Sequence, residues 1–545
     1  MGKKPYYKKQ NKNTKGSQSK RSNKNNSKYE DDQATKTKGI SPFADYGEQN
    51  DPLWYMGQRA LVEPAARITT FQQAGRPFTF NSSPSIPTTS YEFNIPMVMA
   101  VLWQPTPGIS LDATSGISIA SSMMYQFIRS KLNYLTSYAP ADLGMALMAF
   151  DSILIMYHEI VRGFGVINNY DGMNLAWPRA ILDACGFDFE DLYTNQAVYR
   201  MQFNNLIAKA QSLFMPVETY FNKRHNWLAE HIWTDSNTSK AQLYLYRCTN
   251  YYQWDETTSE QGTMCKSIGA PTATATMADW LNMFDGMVEA LRSSDSYAKI
   301  MADMRKAYDN RDAWVLPFLD ENYSIKPEVN DTVLEQLQNS TFWPIKVNND
   351  DITQSVDNNA IICNPTVSIL TSSVAASEQA NFTRRVIDLM VGDQIINFSH
   401  DNPSAEDIVE NTRNISTFKR SNDGVAFGDL GTDIMLGCNV FYATTSNTDG
   451  SVSWTPHLAS YSAIEYVNVD GQAASIWAAF DWAPRLLIIN NGTNNSGLSG
   501  YMLDFNYWTL IPQTSLQNLN RAINLSVWNV PEDVAPNFDG KYSWK

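Results

Sequence analysis

The spacing of apolar side chains divides this sequence into a helical stretch and a later strand-rich one. Between Ile117 and Tyr308 apolar residues recur three and four positions apart. Met124, Phe127, Ile128, Leu132 and Leu135 predict an amphipathic helix over Ser121–Ser137. After Pro140, Asp142 opens a second helix that runs to Arg162 and stops at Gly163. Its run from Leu143 to Tyr157, broken only by Asp151, is apolar nearly all round, which places it at the centre of a bundle. Fifteen residues fall short of the roughly 20 that cross a bilayer. Pro178 introduces a short helix over Arg179–Cys185, closed by Gly186. Asn195 is a candidate cap for a helix through Phe203, Leu206, Ile207 and Phe214, and Glu218–Trp233 follows. Ala278–Tyr308 reads as one long helix or two shorter ones.

Beyond about Arg311 the composition turns to Thr, Ser, Asn, Val and Ile. Strands are predicted at Ala360–Leu370, Arg384–Met390, Asp433–Thr444, Ala463–Val469, Ser475–Phe480 and Arg485–Asn490. Asp470-Gly471 between two strand-like runs is the strongest hairpin signal, and the Asn/Gly-rich stretch 491–497 reads as a loop. Leu516, Leu519, Ala522 and Ile523 predict a closing helix. The fold class is therefore α+β. A mainly helical domain (116–310) precedes a β-rich domain (311–510), and residues 511–545 return to the helical part.

Ahead of these, 41–115 is punctuated by nine prolines between Pro42 and Pro107 and shows little helical periodicity. It reads as an extended arm lying on another surface, either of its own chain or of a copy, with a short helix near Met56–Val62. Residues 1–40 differ again. Lys3, Lys4, Lys8, Lys9, Lys12, Lys15, Lys20, Arg21, Lys24 and Lys28 come with no acid among them, and no Val, Leu or Ile precedes Ile40. Such a segment buries too little apolar surface to offset its ordering entropy, so disorder is expected.

Charge sharpens this picture. Residues 1–40 hold 12 basic and 3 acidic residues of the chain's 42 and 56, a net +9 that leaves the other 505 residues at −23. A polycationic arm on an acidic body wants a polyanion. Those ten cations are the candidate nucleic-acid contacts, and Lys without shape-matched aromatics grips phosphate without reading bases. Forty residues of flexible chain reach roughly 35 Å on average and about 130–140 Å fully extended. Five widely spaced cysteines with no C-x-x-C indicate free buried thiols in a reducing compartment. No apolar stretch follows the basic residues as a secretory leader requires, and Tyr6 stands where a myristoylation start wants Ser or Thr.

Chemistry is sparse. Five histidines are scattered, and His225 and His231, six apart on a predicted helix, point to different faces. No G-x-S-x-G, H-E-x-x-H, P-loop or Gly-Asp-Asp signature occurs. Asp188, Glu190 and Asp191, and the Asn348–Asp351 stretch with Asp357, offer oxygen ligands but read as solvated loops. Asn222-Lys223-Arg224-His225 is the one compact basic patch of the body, and it reads as a helix face. No catalytic residue, metal or cofactor is expected.

Four segments carry a resemblance: Trp177-Pro-Arg-Ala-Ile-Leu-Asp-Ala-Cys-Gly186, Tyr199–Ala210, Tyr220-Phe-Asn-Lys-Arg-His-Asn-Trp-Leu228, and Gln242-Leu-Tyr-Leu-Tyr246. Together they resemble picobirnavirus capsid proteins. The resemblance implies a structural protein of a small double-stranded-RNA virus, built into an icosahedral shell from dimers. It implies a helical shell domain, a projecting domain outside, and a basic arm inside against RNA; the place of action would be the virion, with assembly in host cytoplasm. Partitivirus-like capsids share the general architecture. Two other readings stand beside it. One is a nucleoprotein that coats RNA without closing a shell, which would more often carry a basic groove than a body of −23. The other is an enzyme with a localising basic tail, against which the missing motifs count.

Overall fold

Helix Pro140–Ile167 is the axis on which the described fold is built, and 25 of its 28 residues are buried. In the computed structural model the described residues are 64–67, 76–80, 91–170, 177–216, 220–236, 241–256, 262–271, 275–308, 313–348, 351–355, 357–372, 374–422, 424–445, 452–458, 463–465, 476–477, 479–490, 497–502 and 507–527. The chain divides into two units at residue 70; of the first, one helical turn at 64–67 is described. The basic arm, the helix expected near Met56–Val62, the Asp470-Gly471 hairpin and most of the 491–497 loop lie outside the described residues.

Around the central helix pack helices Gly116–Lys131, Trp177–Cys185, Phe189–Ala210, Tyr220–Glu230 and Met277–Arg292, with strand Asn250–Asp255. The central helix is long and apolar enough to cross a membrane by length and composition, yet it lies inside the fold. Its close neighbours explain two glycines. A Cβ at Gly144 would strike Ser121 and Ile361, and one at Gly163 would meet the Phe187 ring at 2.8 Å, so both let neighbours approach the backbone. Asp295–Ala307 follows Met277–Arg292 after a break at Ser293-Ser294, so the predicted Ala278–Tyr308 run is two helices.

A five-stranded sheet lies beside the helices, in the order Val452–Leu458, Asp433–Thr445, Val98–Pro105, Leu243–Cys248, Trp233–Thr234. Val98–Pro105 runs antiparallel to Asp433–Thr445 and parallel to Leu243–Cys248, with a register shift between Met435 and Gly437. Seven of the eight residues in Val98–Pro105 and all six in Leu243–Cys248 are buried. The sheet thus joins strands from the expected arm, helical and β-rich blocks. The later part of the chain adds two smaller cores. One gathers Trp343, Phe382, Val386, Met390, Phe418 and Phe427; the other gathers Ile396, Phe398, Ile415, Ile511 and Leu516.

Several expectations are corrected. Arg384–Met390 is not a strand but the second half of helix Gln379–Met390, because Phe382, Val386, Ile387 and Met390 line up on one helical face against the core. Ala360–Leu370 is two strands, Ala360–Ile362 and Thr366–Ile369, separated at Pro365 and paired with different partners. Ile476 and Trp477 lie in a helical turn rather than a strand. The helix expected at Ser121–Ser137 ends at Lys131, and the one expected at Asn195 already starts at Phe189, where Asp188 accepts the Asp191 amide at 3.0 Å. Asp433–Thr445, Arg485–Asn490 and the closing helix Gln513–Val527 stand where expected.

Candidate functional site

The ten cations from Lys3 to Lys28 lie outside the described residues, so the sites that can be built are those of the body. His158, His225 and His231 are held in structural roles. His231 Nδ1 lies 3.0 Å from the Trp227 carbonyl oxygen and Nε2 3.5 Å from Glu328. His158, 3.6 Å from Glu230, is pushed down to about 4 by burial, with His231 and Arg162 adding to the shift. The acids are engaged as well. Glu190 pairs with Arg179 at 2.6 Å, Asp191 accepts from the Tyr199 hydroxyl and the Met277 amide at 2.9 Å, and Asp351 accepts from the Ser267 amide at 2.7 Å. Among the described residues no three ligating side chains gather as a metal site needs.

The expected basic helix face is instead a buried junction. Helix Tyr220–Glu230 turns Asn222, Arg224 and His225 inward, and only Lys223 of the four is exposed. Asp151, the polar break in the central helix, accepts from Asn222 Nδ2 and meets His225 Nδ1, both at 2.7 Å, with Asp151 and His225 fully enclosed. His225 Nε2 lies 3.0 Å from the Thr432 carbonyl oxygen, which only accepts, so Nε2 carries a hydrogen. One further proton then sits between Nδ1 and the carboxyl, and the pair is neutral overall whichever atom holds it. Burial pushes the Asp151 carboxyl up, while His225 and Asn222 pull it back, consistent with that sharing.

One residue along the strand the junction becomes ionic. Arg224 donates through Nε and Nη2 to the two Asp433 oxygens, each at 2.9 Å, in a fork-to-fork pair. It also reaches Asn414 Oδ1 at 3.2 Å and Gln336 Oε1 at 3.4 Å. Burial disfavours the Asp433 carboxylate, but the Arg224 guanidinium overrides it and holds the carboxyl below its ordinary range. Thr432 precedes and Asp433 opens strand Asp433–Thr445, so these contacts fasten the late strand to the helical part. A second buried carboxylate does the same for the strands behind. Glu159 accepts from the Cys248 amide at 2.8 Å and from the Tyr251 hydroxyl, and lies 3.6 Å from Arg162. Both sites are buried, and both clamp segments far apart in sequence. All five cysteines are free and buried, as their spacing implied.

One half-buried acid has no cation partner among the described residues and has a pH signature. Asp235 accepts from the Gln242 amide at 2.9 Å, and burial, with Asp481 nearby, pushes its carboxyl up to about 6. A folded-state value above the unfolded one of about 3.9 gives stability that is full below pH 4 and lost as pH rises through 6. Asp235→Asn keeps the acceptor and removes the charge. It is expected to be more stable than the parent by roughly 1–2 kcal/mol at pH 8, with the gap closing at pH 4. Denaturant titrations at the two pH values check this, and an equal gap at both would remove the carboxylate from the explanation.

Comparison with known proteins places this architecture. The family model described as "Picobirnavirus, Capsid protein" matches residues 54–469. The capsid protein precursor of human picobirnavirus (strain Human/Thailand/Hy005102/-) is 25% identical over 532 residues, covering 92% of this chain and 94% of the relative. The crystallographic structure of the picobirnavirus capsid superposes with a TM-score of 0.72 at 19% identity, over 90% of this chain and all of that one, which shows the same fold. A fold of buried clamps with no reactive constellation among its described residues, matched along most of its length by that model and that relative, belongs to the picobirnavirus capsid protein family.

Proposed function

We propose that the chain assembles through dimers into an icosahedral shell enclosing a double-stranded RNA genome, with Lys3–Lys28 contacting RNA without sequence preference. A capsid protein self-assembles and resides in the virion, and we propose that this one pairs as dimers, contacts RNA and assembles in host cytoplasm. The observation that carries it is the segregation of charge, +9 in the first 40 residues against −23 in the remainder. An acidic body repels RNA, so packaging falls to the arm. In this reading residues 116–310 form most of the shell. The 311–510 block supplies the projection apart from Asp433–Thr445 and Val452–Leu458, which are hydrogen-bonded into the sheet of the helical part. Residues 41–115 tie the arm to that sheet, and 511–545 return to the shell.

Purified protein is expected to form closed particles of uniform size in negative-stain electron microscopy. Small monodisperse oligomers at every salt and pH tested would refute shell formation and favour a nucleoprotein that coats RNA without enclosing it.

A further inference from the structure

Helix Phe189–Ala210 carries an exposed row that its own fold leaves uncovered. Tyr193, Val198 and Met201 are 51%, 52% and 60% exposed, and Ala197 lies between them at helical spacing. Beside this helix runs an extended segment in the opposite direction. Gln211 Nε2 donates to the Leu316 carbonyl oxygen at 2.9 Å, Asn204 exchanges hydrogen bonds with Leu319 at 2.8 and 3.1 Å, and Arg200 pairs with Glu321 at 3.5 Å. Leu316 and Leu319 turn inward, which leaves Val315 and Phe318 outward at 69% and 57% exposure. Single exposed apolar residues are ordinary, but five on one helix and the segment pinned along it mark a contact surface.

The charge of this surface identifies the occupant. The body is net −23, so two copies repel wherever acids face each other. From Leu192 to Ala210 the helix has only two charged residues, Arg200 and Lys209, and both are spent on Glu321 and on Asp285 with Glu289. Its exposed row carries no charge at all. A basic or nucleic-acid partner would find no charge to pair with in this row, the exposed acids Asp320 and Glu321 lying at the far end of the pinned segment, whereas a second copy of an acidic chain needs an uncharged apolar face. We infer that the surface formed by Tyr193, Val198, Met201, Val315 and Phe318 is buried against another copy of this chain in the assembled shell. This rests on the self-assembly reading above and assigns residues to one of its contacts.

The test starts from parent particles. Their absence would defeat self-assembly itself, and the contact with it. Given particles, the double variant Val198→Glu/Met201→Glu is expected to fold, with circular dichroism and melting close to the parent because both positions are exposed. It should yield at least ~10-fold fewer particles, since burying like charges opposes docking. Undiminished yield of normal particles would overturn the assignment. Because all five native cysteines are buried, Val198→Cys gives a second readout in case the double variant misfolds. A small maleimide is expected to label it at least ~10-fold more slowly in particles than in subunits dissociated from them, and Thr114→Cys, exposed on a loop, serves as the control for access. Equal rates at Val198→Cys in both states would also overturn it.

Discussion

Particles assembled from a chain lacking residues 1–38 are expected to carry little RNA while keeping their shape. The deletion removes twelve cations and three acids and leaves the described fold intact. If about six Lys engage duplex at once, log affinity falls with log salt at a slope near −5, because each neutralised phosphate releases condensed counterions. Between 50 and 200 mM salt the parent arm therefore loses about 10³-fold in affinity, and the truncated protein, with the arm's cations gone and an acidic body left, shows almost no slope. One arm alone would bind weakly, but many displayed on a closed shell would act together. The ratio of absorbance at 260 to 280 nm in purified particles reads RNA content, and filter binding across salt reads the slope. Unchanged RNA in truncated particles would remove the arm from packaging.

Asp433→Ala should be among the most damaging single changes to the body. It leaves the Arg224 guanidinium, enclosed among Gln336, Asn414 and Tyr246, without its counter-charge. Removing one member of a buried ion pair costs about 3–5 kcal/mol, a large share of the 5–15 kcal/mol that holds a typical domain folded. Replacing both members, Arg224→Met with Asp433→Leu, is expected to recover most of the loss, since no charge is then stranded. Denaturant unfolding of the four proteins closes the cycle, and additive losses would show that the two side chains do not depend on each other. The sign with pH follows. Asp433 sits below its ordinary range, so its contribution is present above about pH 4 and disappears as pH falls further. The parent and Asp433→Ala should therefore converge under strongly acidic conditions.

The helical half was legible because its periodicity is simple. Leu143–Tyr157 announced a buried helix, and the structure extends it to Pro140–Ile167. Val98–Pro105 was not recognised as a strand for the opposite reason. Buried on both faces, it has no alternation and reads as one apolar run between prolines. Leu243–Cys248 is the same case, a strand buried on both faces with no alternation to mark it. Arg384–Met390 reads as a strand because Val386 and Ile387 are β-branched, although their spacing with Phe382 and Met390 fits a helix. At the junction, sequence showed that Asp151 interrupted an apolar run and that Arg224 and His225 clustered. Nothing local linked Asp151 to His225, 74 positions on, or Arg224 to Asp433, because those pairings exist only once the sheet brings the segments together.

That sheet also sets a timetable. Pro105 and Asp433 are register partners 328 positions apart, and Val98–Pro105 is the strand between Asp433–Thr445 and Leu243–Cys248. A ribosome adding about 5–20 residues per second needs roughly 15–70 seconds to travel between them. Through that interval Val98–Pro105 has one edge unpaired, and the clamp from Arg224 has no carboxylate to hold. A nascent chain therefore cannot complete its core until most of it has been made. Docking of copies is deferred to nearly finished chains, and a truncated translation product cannot enter a growing shell as a complete subunit.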